Sequence, residues 1–215
     1  MNVVGTVTIA TGAQLDVVIN GLGSNVDLSE AFWTQPRSWT FLTGTNVQGT
    51  LALGSVGADS GGRSIRSYGT LALQQDATSA TLNFTSYTPV EVWRLAHFGT
   101  LDNAGDAVDD QDPDKDLVNN LLERAFGGNP NLADHEMLPK IDDSAPMLSI
   151  IYRKAKAATD LAFTVEEDDD LTPPWTPATG ASEVMSDDGT VEQIRFTRPI
   201  GSDDPLFLRV GVTQP

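Results

Sequence analysis

The chain has 215 residues, of which 40% are hydrophobic and 20% are charged, and its 30 aspartates and glutamates outnumber its 13 lysines and arginines. This composition is typical of a folded protein with one or two domains, and the formal net charge of −17 argues against nucleic acids and anionic membranes as partners, because both are negative. The absence of cysteine excludes disulfides, thiolate metal sites and a cysteine nucleophile.

No apolar run approaches the roughly 18 residues that a membrane-spanning helix needs, and the first residues lack the basic and apolar stretches of a signal peptide. We therefore expect no membrane span. Two interpretations of location stay open: a cytosolic protein, or the mature part of a larger exported polypeptide.

Residues 1–87 predict a β-rich domain, because short apolar–polar alternations are separated by glycine-rich turns. The alternating apolar residues are Val7 and Ile9, Leu15, Val17 and Ile19, Trp39 and Phe41, Leu51 and Leu53, Leu71 and Leu73, and Leu82 and Phe84. A sandwich and the end of a β-solenoid both fit this pattern. The segment from Leu22 to Arg37 predicts a longer loop or a short helix.

Residues 88–130 predict a connector of two short helices. Thr88, Pro89 and Glu91 provide the signals of a helix start, and Gly99 follows the apolar residues of the first helix. The second helix is expected from about Leu117 to Phe126, where a Gly-Gly-Asn-Pro sequence stops it.

Residues 131–146, rich in proline and acidic residues, predict a linker, and residues 147–215 predict a small antiparallel β-sandwich or sheet. Its strands are expected at MLSIIYR, LAFTVEE, VEQIRFT and LFLRVGV, with a turn at Asp187-Asp188-Gly189. The predicted fold class is therefore mainly β, with a short helical connector between two β-domains.

The segment from Asp112 to Glu123 has the spacing of an EF-hand-like calcium loop. Twelve residues long, it carries acids at its first, third, fifth and twelfth positions, and Asn120 at its ninth. Calcium prefers about six to eight oxygen ligands, and a final glutamate can supply both of its oxygens. The predicted ligands are Asp112, Asp114, Asp116, the Val118 carbonyl, Asn120 and Glu123. The alternative is a solvated acidic segment at the start of a helix, where acids are favourable without an ion.

The sixth position of such loops is usually glycine, because the chain turns there with positive φ, but this chain has Leu117. A residue other than glycine in that conformation costs about 1–2 kcal/mol, so either the turn is altered or the affinity is reduced. Asp106, Asp109 and Asp110 are further candidates, as added ligands or for a second ion.

Other candidate residues carry less information. His97 is expected to be a partly buried structural residue, and His135 an exposed residue of the linker. Trp33, Trp39 and Trp175 suit either packing or a sugar-stacking platform, and a pair of acids for glycoside hydrolysis stays open. The sequence motifs of serine hydrolases, zinc proteases and phosphate-binding loops do not occur.

The passage VEVWRLAHFGTLDNAGDAVDDQDPDKDLVNNLLERAFGGNP resembles a module near the C-terminus of large exported proteins of Verrucomicrobia and Planctomycetes. Its loop is similar to the calcium loops of dockerins, EF-hands and thrombospondin type 3 repeats, although Lys115 and Leu117 replace two glycines. The run GTVTIATGAQLDV is similar to autotransporter-associated β-strand repeat proteins, and the C-terminal segment also resembles the β-domain that ends these proteins.

The resemblance implies export, calcium and a role at the cell surface or in a matrix, with no particular enzymatic activity. The leading hypothesis is a non-enzymatic structural or adhesive surface protein, or the C-terminal part of one, that self-associates into filaments or binds surface glycans. The alternatives are a carbohydrate-active enzyme and a carbohydrate-binding module on the same β-scaffold.

Overall fold

The structure is a computed structural model that describes residues 1–19, 26–28, 31–59, 61–142, 147–199 and 206–215. The chain divides into two compact units, Met1–Thr88 and Pro89–Pro215. We refer to them as the N-terminal unit and the C-terminal unit and describe each by itself.

The described part of the N-terminal unit contains seven strands and two short 3-10 helices. The strands are β1 Thr6–Thr8, β2 Gln14–Val17, β3 Arg37–Thr43, β4 Asn46–Gln48, β5 Ala52–Val56, β6 Gly69–Gln75 and β7 Ser79–Ser86. The 3-10 helices are Ala31–Thr34 and Ile65–Ser67. Strand β1 pairs with β4 in parallel and β2 with β5 in parallel, whereas β3, β7 and β6 form an antiparallel sheet in that order.

The alternation in the sequence marks the buried face of this antiparallel sheet. Leu82 and Phe84 of β7 point to one side, together with Leu71 of β6, and Phe84 is only 1% exposed. The Trp33 ring packs edge-on against Phe84 at 5.7 Å between ring centroids. The predicted short helix around residues 22–37 is found as the turn Ala31–Thr34, whereas residues 20–25, 29 and 30 lie outside the described residues.

In the C-terminal unit, two α-helices precede seven strands among the residues described. The elements are α1 Pro89–Phe98, a 3-10 turn Gly105–Ala107, α2 Asn120–Phe126, β8 Lys140–Asp142, β9 Met147–Ala155, β10 Ala162–Asp168, β11 Thr176–Pro177, β12 Ala181–Asp187, β13 Val191–Pro199 and β14 Phe207–Thr213. One antiparallel sheet has the order β12-β13-β9-β8, and a second has the order β11-β10-β14. The chain is therefore mainly β, as predicted, with several small sheets.

The bounds of α1 agree with the predicted start at Pro89 and stop at Gly99. Helix α2 begins three residues later than predicted. The Asn119 side chain caps it by accepting a hydrogen bond from the Leu122 amide at 3.1 Å, and Leu117 has a left-handed backbone with φ 73° that no α-helix contains. At the other end, Gly127 closes the helix with φ 70°.

The helical region belongs to the C-terminal unit. Ala125 and Phe126 of α2 share one buried cluster with Met137, Ala155 and Leu161. This grouping differs from the predicted separate connector over residues 88–130 and linker over residues 131–146, because a fully buried methionine and strand β8 both lie in the supposed linker. Residues 143–146 lie outside the described residues.

Candidate metal centre

The structure brings together the three aspartates of the predicted loop. Carboxylate oxygens of Asp112, Asp114 and Asp116 all lie within 4.8 Å of one another. At that separation, two unit charges repel by about 3 kcal/mol at an effective dielectric constant of about 20. The cluster is therefore costly unless a cation or protons offset its charge.

The backbone of the loop makes the tight turn although the chain has no glycine there. Lys115 has φ 65° and Leu117 has φ 73°, so both residues that replace glycines of the resembled family occupy the left-handed region. The turn is therefore not altered by the replacement of glycine with Leu117. Leu117 keeps the turn, points its side chain into solvent at 93% exposure, and leaves about 1–2 kcal/mol of strain in the loop.

Backbone amides donate to carboxylate oxygens of all three aspartates, and the Asp116 amide reaches Asp114 Oδ1 at 3.3 Å. The Leu117 amide donates to Asp112 Oδ2 at 2.8 Å, and the Val118 amide donates to Asp116 Oδ1 at 2.9 Å. The other oxygen of Asp116 accepts the amide of Asp134 at 2.9 Å. These bonds hold the carboxylates in place before any ligand arrives.

Glu123 is the most informative residue of the site. Its side chain is 1% exposed, and neither of its two carboxylate oxygens has a hydrogen-bond partner. Asp114 Oδ2 is likewise buried without a partner. Buried polar atoms are nearly always satisfied, and leaving one unsatisfied costs about 1–3 kcal/mol. Three such oxygens beside an acidic cluster therefore suit a ligand that accepts lone pairs, such as a cation.

The electrostatics of the site agree with its geometry. The pKa of Glu123 is raised to about 7, first by burial and then by the negative charges of Asp116, Asp114, Asp134 and Asp112, in that order of importance. Burial also raises the pKa of Asp114, and the charges of the neighbouring aspartates act in the same direction. Without a cation, the site would therefore retain protons near neutral pH.

Two other predicted ligands, Asn120 and Val118, are buried residues. The Asn120 side chain is fully buried and donates through Nδ2 to the carbonyl oxygens of Asp106 and Val108, each at 2.7 Å, whereas its Oδ1 is buried without a partner. The Val118 side chain is buried in the cluster beneath α2. Asn120 therefore ties the preceding turn to the loop as well as presenting a free oxygen.

The further candidates Asp106, Asp109 and Asp110 do not gather into a carboxylate group of their own within the described structure. Asp109 instead forms an ion pair with the buried Arg94 of α1 at 2.8 Å, and Arg94 Nε also donates to the Ala107 carbonyl. This contact anchors α1 to the turn that leads into the loop.

Asp168, Asp169 and Asp170 form a second group of three carboxylates at the end of β10, and their oxygens also lie within 4.8 Å of one another. Asp169 and Asp170 are exposed, and in the described structure this group includes no buried oxygen that lacks a partner. It has the character of a solvated acidic turn, so we assign no site to it.

The segment after α2 also lies against the candidate metal centre, and the sequence does not predict this contact. Asp134 and Gly128 lie in it, and a Cβ atom placed on Gly128 would be 1.8 Å from Glu123 Oε2, so a larger residue there would displace that carboxylate. His135 is exposed as expected, but its Nε2 donates to the Asp116 carbonyl oxygen.

His97 is half-buried beside Trp93, at 4.8 Å between ring centroids, and burial lowers its pKa.

Comparison of the chain with protein-family models, curated proteins and solved structures finds no match. Within the described residues, no helix is long and apolar enough to cross a membrane. The proposals below therefore rest on the geometry of the chain itself and on the sequence resemblance described above.

Proposed function

We propose that the loop Asp112–Glu123 binds one calcium ion, which stabilises the C-terminal unit of a non-enzymatic extracellular protein with a structural or adhesive role. The observation that carries the ion is Glu123, whose two buried oxygens lack hydrogen bonds. A carboxylate in this position is stable when it coordinates a cation.

The donor set favours calcium over other common ions. All of the proposed donors are oxygens, which are the ligands of calcium and magnesium, whereas zinc and copper prefer nitrogen and sulfur. Carboxylates of Asp112, Asp114, Asp116 and Glu123, the last with both oxygens, the Val118 carbonyl and the free Oδ1 of Asn120 make seven donors. Calcium accepts this number and a two-oxygen glutamate, whereas magnesium demands near-octahedral geometry and retains waters.

Burial of the site favours a structural role over a catalytic one. The Asp116 side chain is 1% exposed and Glu123 is equally buried, so a bound ion would have little access to a substrate. The strain at Leu117 favours a weak site, which suits extracellular calcium at about 10⁻³ M. Export and a cell-surface location are supported by the family resemblance stated above.

For the finer architecture, we propose a β-solenoid end in the N-terminal unit and a β-sandwich in the C-terminal unit. The parallel pairs β1–β4 and β2–β5 support the solenoid, since stacked coils pair their strands in parallel. Ile150 and Ile194 of one C-terminal sheet share a buried cluster with Val165 of the other, which supports the sandwich.

Self-association through strand β12 is part of the proposal. This strand lies at the edge of its sheet, all seven of its residues are exposed, and Val184 is 58% exposed. Exposed apolar edge strands pair readily with other chains, although the irregular pairing next to Val184 opposes this. Light scattering at millimolar calcium that shows only monomers at high protein concentration would count against self-association.

A glycan-binding module is the second candidate, and one observation favours it. The N-terminal unit has an apolar cleft of about 310 Å³ whose lining includes Phe32, Trp33 and Trp39, with Phe32 44% and Trp39 36% exposed. Exposed aromatic rings stack on sugar rings. If this candidate is correct, Trp39→Ala will abolish binding on a glycan array, whereas Asp169→Asn, at an exposed acid of the C-terminal unit, will leave binding unchanged.

The main proposal is tested by calorimetric melting of the full chain in excess calcium and in chelator. With free calcium at 100 times Kd, the ion stabilises the C-terminal unit by about 2.7 kcal/mol, which corresponds to roughly 10 °C. Asp114→Asn should abolish the shift, and Asp169→Asn, with the same charge change in the exposed acidic group, should retain it. An identical melting profile with and without calcium would refute the proposal.

A further inference from the structure

A segment outside the twelve-residue loop lies against the acidic cluster. Residues 128–138, which we name the closing segment, follow α2 directly. The segment is held by Met137, which is fully buried beneath α2, and by a hydrogen bond from Asn131 Nδ2 to the His97 carbonyl oxygen at 3.2 Å. Its ends are therefore attached to elements that do not belong to the loop.

Three contacts join the closing segment to the proposed ligands. The Asp134 amide donates to Asp116 Oδ2, His135 Nε2 donates to the Asp116 carbonyl oxygen, and Gly128 lies directly against the Glu123 carboxylate. The closing segment therefore contacts Asp116 and Glu123, which are the two most buried acids of the site.

We propose that Asp134 supplies a fifth carboxylate to the cation site, so that ion binding and docking of the closing segment are one event. This inference rests on the proposed function and names a residue that lies eleven positions beyond the last residue of the loop. The ion would then connect three pieces of chain: the loop, helix α2 and the closing segment.

The position of the Asp134 side chain supports this role. Its Oδ1 accepts the Glu136 amide at 2.8 Å, which fixes the carboxylate, and among the described contacts its Oδ2 accepts no hydrogen bond. Its backbone amide lies 2.9 Å from Asp116 Oδ2, so the exposed Asp134 carboxylate is attached next to a buried acid of the site. A residue that only capped the turn at Glu136 would need the Oδ1 atom and no negative charge.

Asp134→Asn separates the two roles because asparagine keeps an Oδ1 acceptor for the Glu136 amide and loses the charge. Glu136→Gln is the matched control: it removes one negative charge two residues away, from a side chain that is 82% exposed and pairs with Lys140. Calcium binding to the full, chelator-treated chain is measured by isothermal titration calorimetry for wild type and both variants.

The expected result is an affinity at least about 10-fold weaker for Asp134→Asn and within about 2-fold of wild type for Glu136→Gln, because loss of a ligand should cost at least as much as loss of a residue that only supports one. Hydrogen exchange provides a second readout that does not depend on the variants: calcium should slow exchange of the Asp134 amide in the wild-type chain.

The outcomes distinguish the two proposals. If the wild-type chain binds no calcium, the proposed function is wrong and this inference falls with it. If wild type binds calcium but Asp134→Asn binds it equally well, Asp134 is not a ligand, and the proposed function still stands. The same conclusion holds if both variants weaken binding equally. Exchange of the Asp134 amide that calcium leaves unchanged would overturn the coupling between the ion and the closing segment.

Discussion

Replacing Glu123 by glutamine should change the stability of the protein in opposite directions with and without calcium. Without a cation, the ionised carboxylate is buried with no hydrogen bonds, and its pKa rises from 4.5 to about 7. The folded protein therefore binds more protons than the unfolded chain between these pH values, and its stability falls as pH rises through that window.

The magnitude follows from the shift. At about 1.4 kcal/mol per pH unit, ionised Glu123 costs the metal-free fold on the order of 3 kcal/mol at pH 8. Glutamine resembles the protonated acid, so in chelator at pH 8 the variant should be more stable than wild type by up to about 3 kcal/mol, and at pH 5 by less than about 1 kcal/mol. In saturating calcium the order should reverse, because the variant loses a two-oxygen ligand.

Scanning calorimetry of the full chain in calcium and in chelator, at pH 5 and pH 8, measures all four differences. Glu136→Gln is the control, because an exposed ion pair contributes about 0–1 kcal/mol and should not depend on calcium. If Glu123→Gln lowers stability equally in calcium and in chelator, the side chain is an ordinary buried hydrogen-bonding group, and the reasoning is wrong.

Three other predictions concern the loop turn, the N-terminal core and acid stability. Leu117→Gly should stabilise the chain by about 0.5–1 kcal/mol and strengthen calcium binding, because it removes the strain of a left-handed backbone. Leu132→Gly is the control: this leucine is also exposed but has no positive φ, so the substitution should destabilise the chain. Urea denaturation compares the stabilities of the two variants. Phe84→Ala should cost about 3–5 kcal/mol by the same assay, since the ring is 1% exposed in the N-terminal core, and an effect below about 1 kcal/mol would contradict the described packing. Hydrogen bonds lower the pKa of Asp76 and Asp188 to about 2, so their contribution should be present above about pH 4 and decline as pH falls towards 2, and a urea midpoint that is constant across this range would contradict it.

The sequence predicts the longer strands well because each buries one face. Strands β7 and β13 alternate apolar and polar residues over eight or nine positions, which is the pattern of a half-buried sheet. Strand β12 is exposed on every residue and so has no apolar face to mark it, whereas β4 and β8 have only three residues each. Hydrogen bonding to a neighbouring strand defines these elements, and no local pattern encodes it.

The acid spacing likewise predicts the three clustered aspartates and the position of Glu123, because a tight loop followed by a helix fixes where those side chains lie. It does not predict that Leu117 would adopt positive φ, since that depends on whether the surrounding hydrogen bonds compensate the strain. The sequence does not predict the positions of Asp134 and Gly128 for another reason. They lie in a segment whose composition is that of a linker, and it is the tertiary packing of Met137 that holds this segment against the site.

A crystal structure of the chain grown in millimolar calcium would show directly whether the loop Asp112–Glu123 binds an ion. We expect one ordered ion within about 2.3–2.6 Å of oxygens from Asp114 and Asp116 and of both oxygens of Glu123. An empty loop with Glu123 turned towards solvent, or with its carboxylate hydrogen-bonded to protein groups, would contradict it.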